Sequence, residues 1–382
     1  MSEEIIRCVR CIVPASVPSS NIDKNGVCVF CRRFDALYGK DSDDSQERMA
    51  KLETILRRVK KLKKPYHCLI PLSGGKDSTY VLYLCAKVYD LKCLCVTFDN
   101  GFLSDHARKN IANAIRATRA DHIYYTANPN MLLDLYRLFI KKCGNFCPAC
   151  MRGIESATQI ADGKFRPPLV IYGGGRKTSY VGYVPEIFQG GDVRFFNNVI
   201  RGEAVGKQGA ILSTPYTRRQ LNKALREILK LFKLETTLLG VYTYYMNIYD
   251  YIDASYDKIR STLEKEMNWR CPPDDFEHMD CSLHDIPSYI HTVRFPHLTP
   301  VTLYNSNLIR LGRMTRDQAL AVDEEYLQAL KEPRGLDMLL DRIDMPREEF
   351  NRAIGDWRIM GQFRDKGHDA LRALYRRIAG TA

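Results

Sequence analysis

Between an apolar run at 67–72 and a helix-forming run from 78 onward, the chain reads Ser73-Gly74-Gly75-Lys76-Asp77-Ser78-Thr79. Two adjacent glycines directly after a buried strand let backbone N–H groups turn toward an anion, and the N-terminus of the next helix adds its partial positive charge. Lys76 brings a cation, while Ser73, Ser78 and Thr79 bring short hydroxyl donors. Asp77 is at odds with a plain phosphate cradle, because a carboxylate beside phosphate is repelled unless a cation such as Mg²⁺ lies between them. The spacing is not that of a Walker A loop, which needs four residues between its first glycine and Gly-Lys-Ser/Thr. A strand, a glycine turn and a helix in this order restrict the chain to folds in which a parallel sheet offers its carboxyl ends to a ligand.

The surrounding pattern agrees. Strands are predicted at 67–72, 92–98, 122–126 and 169–172, alternating with helices at 78–89, 105–118, 131–142 and 153–161. The expected fold class is therefore α/β, a parallel sheet with helices on both faces. Two further strand ends suit a nucleotide. Asp99 and Asn100 follow the second strand, placed to meet ribose or adenine. Gly173, Gly174 and Gly175 follow the fourth, where they permit close backbone approach to ligand, and Arg176 or Lys177 would offset pyrophosphate charge. Three domains are expected: a cysteine-rich module at 1–45, the nucleotide-binding domain at 46–215, and a helical, strand-poor region at 216–382 that would meet substrate or partner. That last region carries an aromatic run at 242–256.

Thirteen cysteines occur in 382 residues, with no apolar run of membrane-spanning length and no basic segment leading into an apolar one at the N-terminus. A reducing, cytoplasmic setting is expected, where metal binding explains cysteines better than disulfides. Cys8-x2-Cys11-x16-Cys28-x2-Cys31 has zinc-ribbon spacing, and four thiolates would close a structural Zn²⁺ site. Cys143-x3-Cys147-x2-Cys150 has a spacing that suits three irons of a 4Fe-4S cluster, a second zinc, or buried structural thiols. The net charge of +12 is concentrated at 57–64, 218–233 and 364–377. Apolar residues at helical spacing accompany it, so these stretches read as solvated helix faces, although such a field also suits ATP, a nucleotide-linked sugar or tRNA.

The loop at 73–79 resembles the PP-loop (Ser-Gly-Gly-x-Asp-Ser) of the ATP pyrophosphatase superfamily. That resemblance implies an adenine nucleotide alpha hydrolase-like fold and cleavage of ATP to AMP and pyrophosphate with Mg²⁺. Lys76 and Asp77 are then the catalytic candidates. Arg7-Cys-Val-Arg-Cys11, Phe98-Asp-Asn-Gly101, Asp280-Cys-Ser-Leu-His-Asp285 and Asn307-Leu-Ile-Arg-Leu-Gly-Arg313 extend the likeness. In that order they are similar to the N-acetyl sugar amidotransferase family of bacterial surface-polysaccharide, including lipopolysaccharide, pathways. The resemblance implies adenylation of the acetamido oxygen of a nucleotide-linked sugar, then displacement of AMP by ammonia from a partner glutaminase. By contrast, Cys147-Pro-Ala-Cys-Met-Arg-Gly153 looks like the PP-loop thiolases of tRNA. It implies a sulfurtransferase whose Cys147 and Cys150 bind an iron–sulfur cluster or carry persulfide, with Cys271 or Cys281 as third ligand in place of Cys143. His278 and His284 are acid/base candidates or plain packed residues.

Overall fold

The computed structural model describes residues 5–38, 45–174, 193–204, 237–271 and 280–356, with isolated residues between 219 and 234. In chain order the elements are α1 (Val29–Tyr38), α2 (Ser45–Lys60), β1 (Cys68–Pro71), α3 (Lys76–Tyr83), β2 (Cys93–Asp99) and α4 (Asp105–Thr118). Then come β3 (Asp121–Thr126), α5 (Pro129–Cys143), α6 (Cys147–Phe165), β4 (Leu169–Tyr172), α7 (Val193–Ile200) and β5 (Tyr244–Asn247). The C-terminal helices are α8 (Tyr256–Met267), α9 (Asp285–Arg294), α10 (Pro300–Arg310), α11 (Arg316–Ala329), α12 (Leu336–Arg342) and α13 (Arg347–Ile354).

All five strands are parallel, in the order β3-β2-β1-β4-β5. Side-chain alternation divides the sheet between two cores. Leu69, Leu94, Val96 and Val170 face α5, α6 and α7, whereas Cys68, Ile70, Cys93, Cys95 and Ile171 face α2, α3 and α4. The expected α/β class holds. The chain reverses direction across the sheet between β1 and β4, and such a switch point leaves an open crevice at the carboxyl ends of both strands.

One expectation is corrected. The aromatic stretch within the region read as helical supplies β5, whose Tyr244 to Asn247 pair in register with Leu169 to Tyr172 of β4. Val-Tyr-Thr-Tyr-Tyr at 241–245 is rich in β-branched and aromatic residues, and its burial alternates as a half-covered strand requires. The sheet thus draws an edge strand from beyond residue 216.

The N-terminal module also has long-range ties. Its Val13, Val17 and Phe30 pack with Phe295, Leu298 and Leu303 around α9 and α10. Arg7 forms a 2.9 Å ion pair with Asp323, whose side chain is 1% exposed. Among the described residues, no helix is long and apolar enough to cross a membrane.

Candidate active site

The loop after β1 is shaped by its glycines and hydroxyls. Gly74 has φ +84°, and a methyl group there would lie 2.5 Å from the carbonyl oxygen of Ala107. Only glycine fits both the left-handed backbone and the approach of α4. Gly75 caps α3 without a side-chain hydrogen bond, so no capping side chain competes for the first-turn N–H groups. The hydroxyls keep the turn closed. Ser73 Oγ lies 3.2 Å from Ser78 Oγ, and Ser78 and Thr79 both donate to the Gly75 carbonyl, at 3.2 and 2.8 Å. Thr79 is fully buried, so its side chain shapes the loop from beneath.

Asp77 stands at the switch point. A methyl group on Gly173, at the end of β4, would come within 2.7 Å of the Asp77 carbonyl carbon. Tyr249 donates from its hydroxyl to Asp77 Oδ1 at 2.8 Å and from its backbone N–H to Gly174 at 3.1 Å. Burial first, then the Asp77 carboxylate, raises the Tyr249 phenol well above its usual range, so it remains a donor. Lys76 Nζ pairs with Asp77 Oδ2 at 3.0 Å and lies 5.6 Å from the Tyr256 ring centroid. Trp269 Nε1 donates to the Gly74 carbonyl at 2.9 Å. Tyr249 and Trp269 were not singled out in the sequence, where they stand far from the loop. The cations Arg176 and Lys177 lie outside the described residues, as does His278. His284 is half-buried at the start of α9.

At the end of β2, Asp99 and Asn100 are both engaged within the protein. Asp99 accepts from Gly101 N–H at 2.9 Å and pairs with Arg108 at 3.2 Å, beside a cavity of about 170 Å³ also lined by Thr126, Leu132 and Arg342. Asn100 is buried, its Oδ1 accepting from Phe102 N–H at 2.8 Å. That bond fixes the amide so that Nδ2 donates to Cys150 Sγ at 3.5 Å and to Cys281 Sγ at 3.4 Å. The side chain expected at ribose or adenine is thus engaged with sulfur.

Cys147 and Cys150 begin α6, and Cys281 shares the Asn100 amide with Cys150. Burial raises all three, Cys281 to about 12, while Asn100 and Tyr136 oppose the rise at Cys150. Cys143 is not part of this group. It closes α5 in the hydrophobic core, and the Gly144 turn, φ +60°, separates it from α6. Arg294 donates to its backbone carbonyl at 3.1 Å. Of the two third-thiol alternatives, Cys281 is the one brought to Cys150; Cys271 lies by Tyr256.

In the N-terminal module the four sulfurs of Cys8, Cys11, Cys28 and Cys31 all lie within 4.8 Å of one another and are buried. Cys8–Cys31 and Cys11–Cys28 are 4.0 and 3.6 Å apart. A tetrahedral zinc site with bonds near 2.3 Å has sulfur–sulfur edges of about 3.8 Å, so the donor set fits that ion. Backbone N–H groups of Cys11 and Cys28 point at Cys8 Sγ at 3.5 and 3.3 Å, and Arg310 at Cys31 Sγ at 3.9 Å, which would stabilise thiolate charge.

Residues 273–372 match the family described as LPS biosynthesis protein WbpG-like, C-terminal domain. An uncharacterized protein of Methanocaldococcus jannaschii is 31% identical over 133 residues, 35% of this chain. The chain spans about half, 45%, of the length of that curated relative. Among solved structures, the U34-tRNA thiolase NcsA from Methanococcus maripaludis with its 4Fe-4S cluster aligns at TM-score 0.31 and 15% identity, over 86% of this chain and 89% of that one. A likeness so loose does not bear on function.

Proposed function

We propose that the chain splits ATP to AMP and pyrophosphate at 73–79 and adenylates a carbonyl oxygen of a small acceptor, which a nitrogen nucleophile then attacks. The observation that carries this reading is the uncapped N-terminus of α3, seated with Lys76 at the switch point of a parallel sheet. The β- and γ-phosphates would rest on the N–H groups of the loop, beside the Lys76–Asp77 pair. The acceptor oxygen attacks the α-phosphorus, the bond to the bridging oxygen breaks, and pyrophosphate leaves from the cradle. Ammonia then attacks the activated carbon, AMP departs with the oxygen, and loss of a proton leaves an amidine. Bound Mg²⁺ would screen charge between the phosphates and the acidic residues of the loop.

The match of 273–372 to a lipopolysaccharide-biosynthesis domain supports an acceptor from that kind of pathway; an N-acetyl sugar nucleotide as acceptor and a glutaminase as source of ammonia complete the proposal. Incubation with ATP, such a sugar nucleotide and an ammonium salt should give equal amounts of AMP and pyrophosphate, dependent on the acceptor. ADP with phosphate, or no cleavage, rejects the reading.

A second reading rests on one specific observation, the sharing of the Asn100 amide between Cys150 and Cys281, with Cys147 in the first turn of the same helix as Cys150. Three thiols there would hold an iron–sulfur cluster or zinc, and in the former case the nucleophile is sulfur and the product a thiolated tRNA or small molecule. Activation by adenylation is common to both readings.

A further inference from the structure

The segment at 280–282 enters the site from the C-terminal region and is fastened there by backbone pairing. Ser104 N–H donates to the Asp280 carbonyl at 3.2 Å, Ser282 N–H donates to the Phe102 carbonyl at 2.9 Å, and Leu103 bridges Cys281 in antiparallel sense. This pairing aims Asp280 at the cradle. A methyl group on Gly75 would lie 3.9 Å from Asp280 Oδ2. Asp280 is half-buried, and among the described residues its carboxylate has no hydrogen-bond or ion-pair partner.

The other carboxylate of the loop is already engaged, since Asp77 accepts from Tyr249 on one oxygen and pairs with Lys76 through the other. With Lys76 neutralising Asp77, Asp280 leaves a negative charge facing the bed in which pyrophosphate must lie. Such a site repels nucleotide unless a cation enters with it. Mg²⁺ suits the donors, because it is ordinarily held by one or two carboxylates together with substrate phosphates. Building on the ATP reading above, we propose that Asp280, rather than Asp77, is the main protein ligand of the divalent cation that accompanies ATP.

The test uses the full chain, Mn²⁺ in place of Mg²⁺, and α,β-methylene ATP, which is not cleaved at the scissile position. Electron paramagnetic resonance gives the Mn²⁺ affinity of the complex, and calorimetry without metal gives the affinity of the nucleotide alone. Asp280→Asn should weaken Mn²⁺ binding to the complex roughly ten-fold or more. Without metal it should bind the nucleotide at least as well as wild type, because a repulsive charge has gone. Asp280→Ser carries the same expectation should the amide variant fail to fold. Unchanged Mn²⁺ affinity, or weakened metal-free nucleotide binding in a variant of wild-type melting temperature, overturns the assignment. If Asp77→Asn weakens Mn²⁺ more than Asp280→Asn does, the assignment to Asp280 is likewise wrong. Failure of the wild type to bind the nucleotide under any condition rejects the ATP reading itself, and the Asp280 assignment with it.

Discussion

The indole N–H of Trp269, two residues beyond α8, donates to the carbonyl oxygen of Gly74 at 2.9 Å. Trp269 is 1% exposed, so the bond ties the loop at 73–79 to the C-terminal region from inside the core. Trp269→Phe would keep an aromatic ring and strand a buried carbonyl, at a cost of about 1–3 kcal/mol. The expected outcome is a lower melting midpoint together with a KM for ATP that rises more than kcat falls. Unchanged values for both would show that the loop holds its shape unaided.

Gly173 gives a sharper steric test. Alanine there places a methyl group 2.7 Å from the Asp77 backbone, which has no room to retreat at the start of α3. Pyrophosphate release should be lost while the fold persists. Gly163→Ala is the matched control, since a methyl group at that exposed position meets nothing within 4 Å. It should leave activity intact and raise stability by up to about 1 kcal/mol through helix propensity. Equal activity in both variants would contradict the close contact of β4 with the loop.

His291 sets an acid limit on stability. It is 1% exposed in α9, and burial, then the neighbouring Arg294, pushes its pKa down to about 3. Above about pH 6.5 both folded and unfolded forms are neutral, so the residue contributes its full stability there. As pH falls from 6.5 toward 3, only the unfolded chain binds the proton, and stability declines by about 1.4 kcal/mol per pH unit from this group. Urea unfolding at stepped pH should show the decline, and His291→Gln should flatten it by about that slope. An identical slope in the variant would place the acid sensitivity elsewhere.

The parts that could be read from the sequence are those whose chemistry is local. The loop at 73–79 and the two CxxC pairs carry their spacing within a few residues: the loop leads from β1 into α3, and the four sulfurs of the CxxC pairs stand together. Contacts that long-range packing decides were not legible. Tyr249 reaches Asp77 only because 244–247 joins the sheet as β5, and an aromatic stretch has no period that tells strand from helix. Cys143, four residues before Cys147, looks in the sequence like a neighbouring ligand, but the Gly144 turn places it on another helix. Cys281 and Asp280 come to the site through pairing with 102–104, which no local pattern announces.

The N-terminal cysteines give a prediction that reaches beyond their own module. Metal binding at such a site is folding free energy, and here the module shares a core with Phe295, Leu298 and Leu303. Cys28→Ser should lose one equivalent of tightly bound metal and should also raise amide exchange at 295–310. Metal analysis and hydrogen exchange on the same preparation check this. A metal-free variant with wild-type protection across α10 would show that the two ends of the chain fold independently.

Cys147, Cys150 and Cys281 separate a nitrogen nucleophile from a sulfur one. Buried thiols with raised pKa values are poor nucleophiles and poor ligands until a metal or a nearby cation draws off the proton. If the group serves sulfur transfer, protein purified without oxygen should absorb near 400 nm, roughly where thiolate-ligated iron–sulfur clusters do. Replacing Cys147 and Cys150 together by serine should then abolish both the colour and product formation. If the nucleophile is ammonia, the double variant needs no sulfur and should still form amidine from an N-acetyl sugar nucleotide, ATP and ammonium salt. A zinc held by the same thiols would give a colourless protein whose variant loses stability before it loses chemistry, so melting must be followed beside turnover. Wild-type-like amidine formation in the double variant would exclude a sulfur role. Loss of activity in a folded variant of a coloured parent would replace the nitrogen reading with the sulfur one.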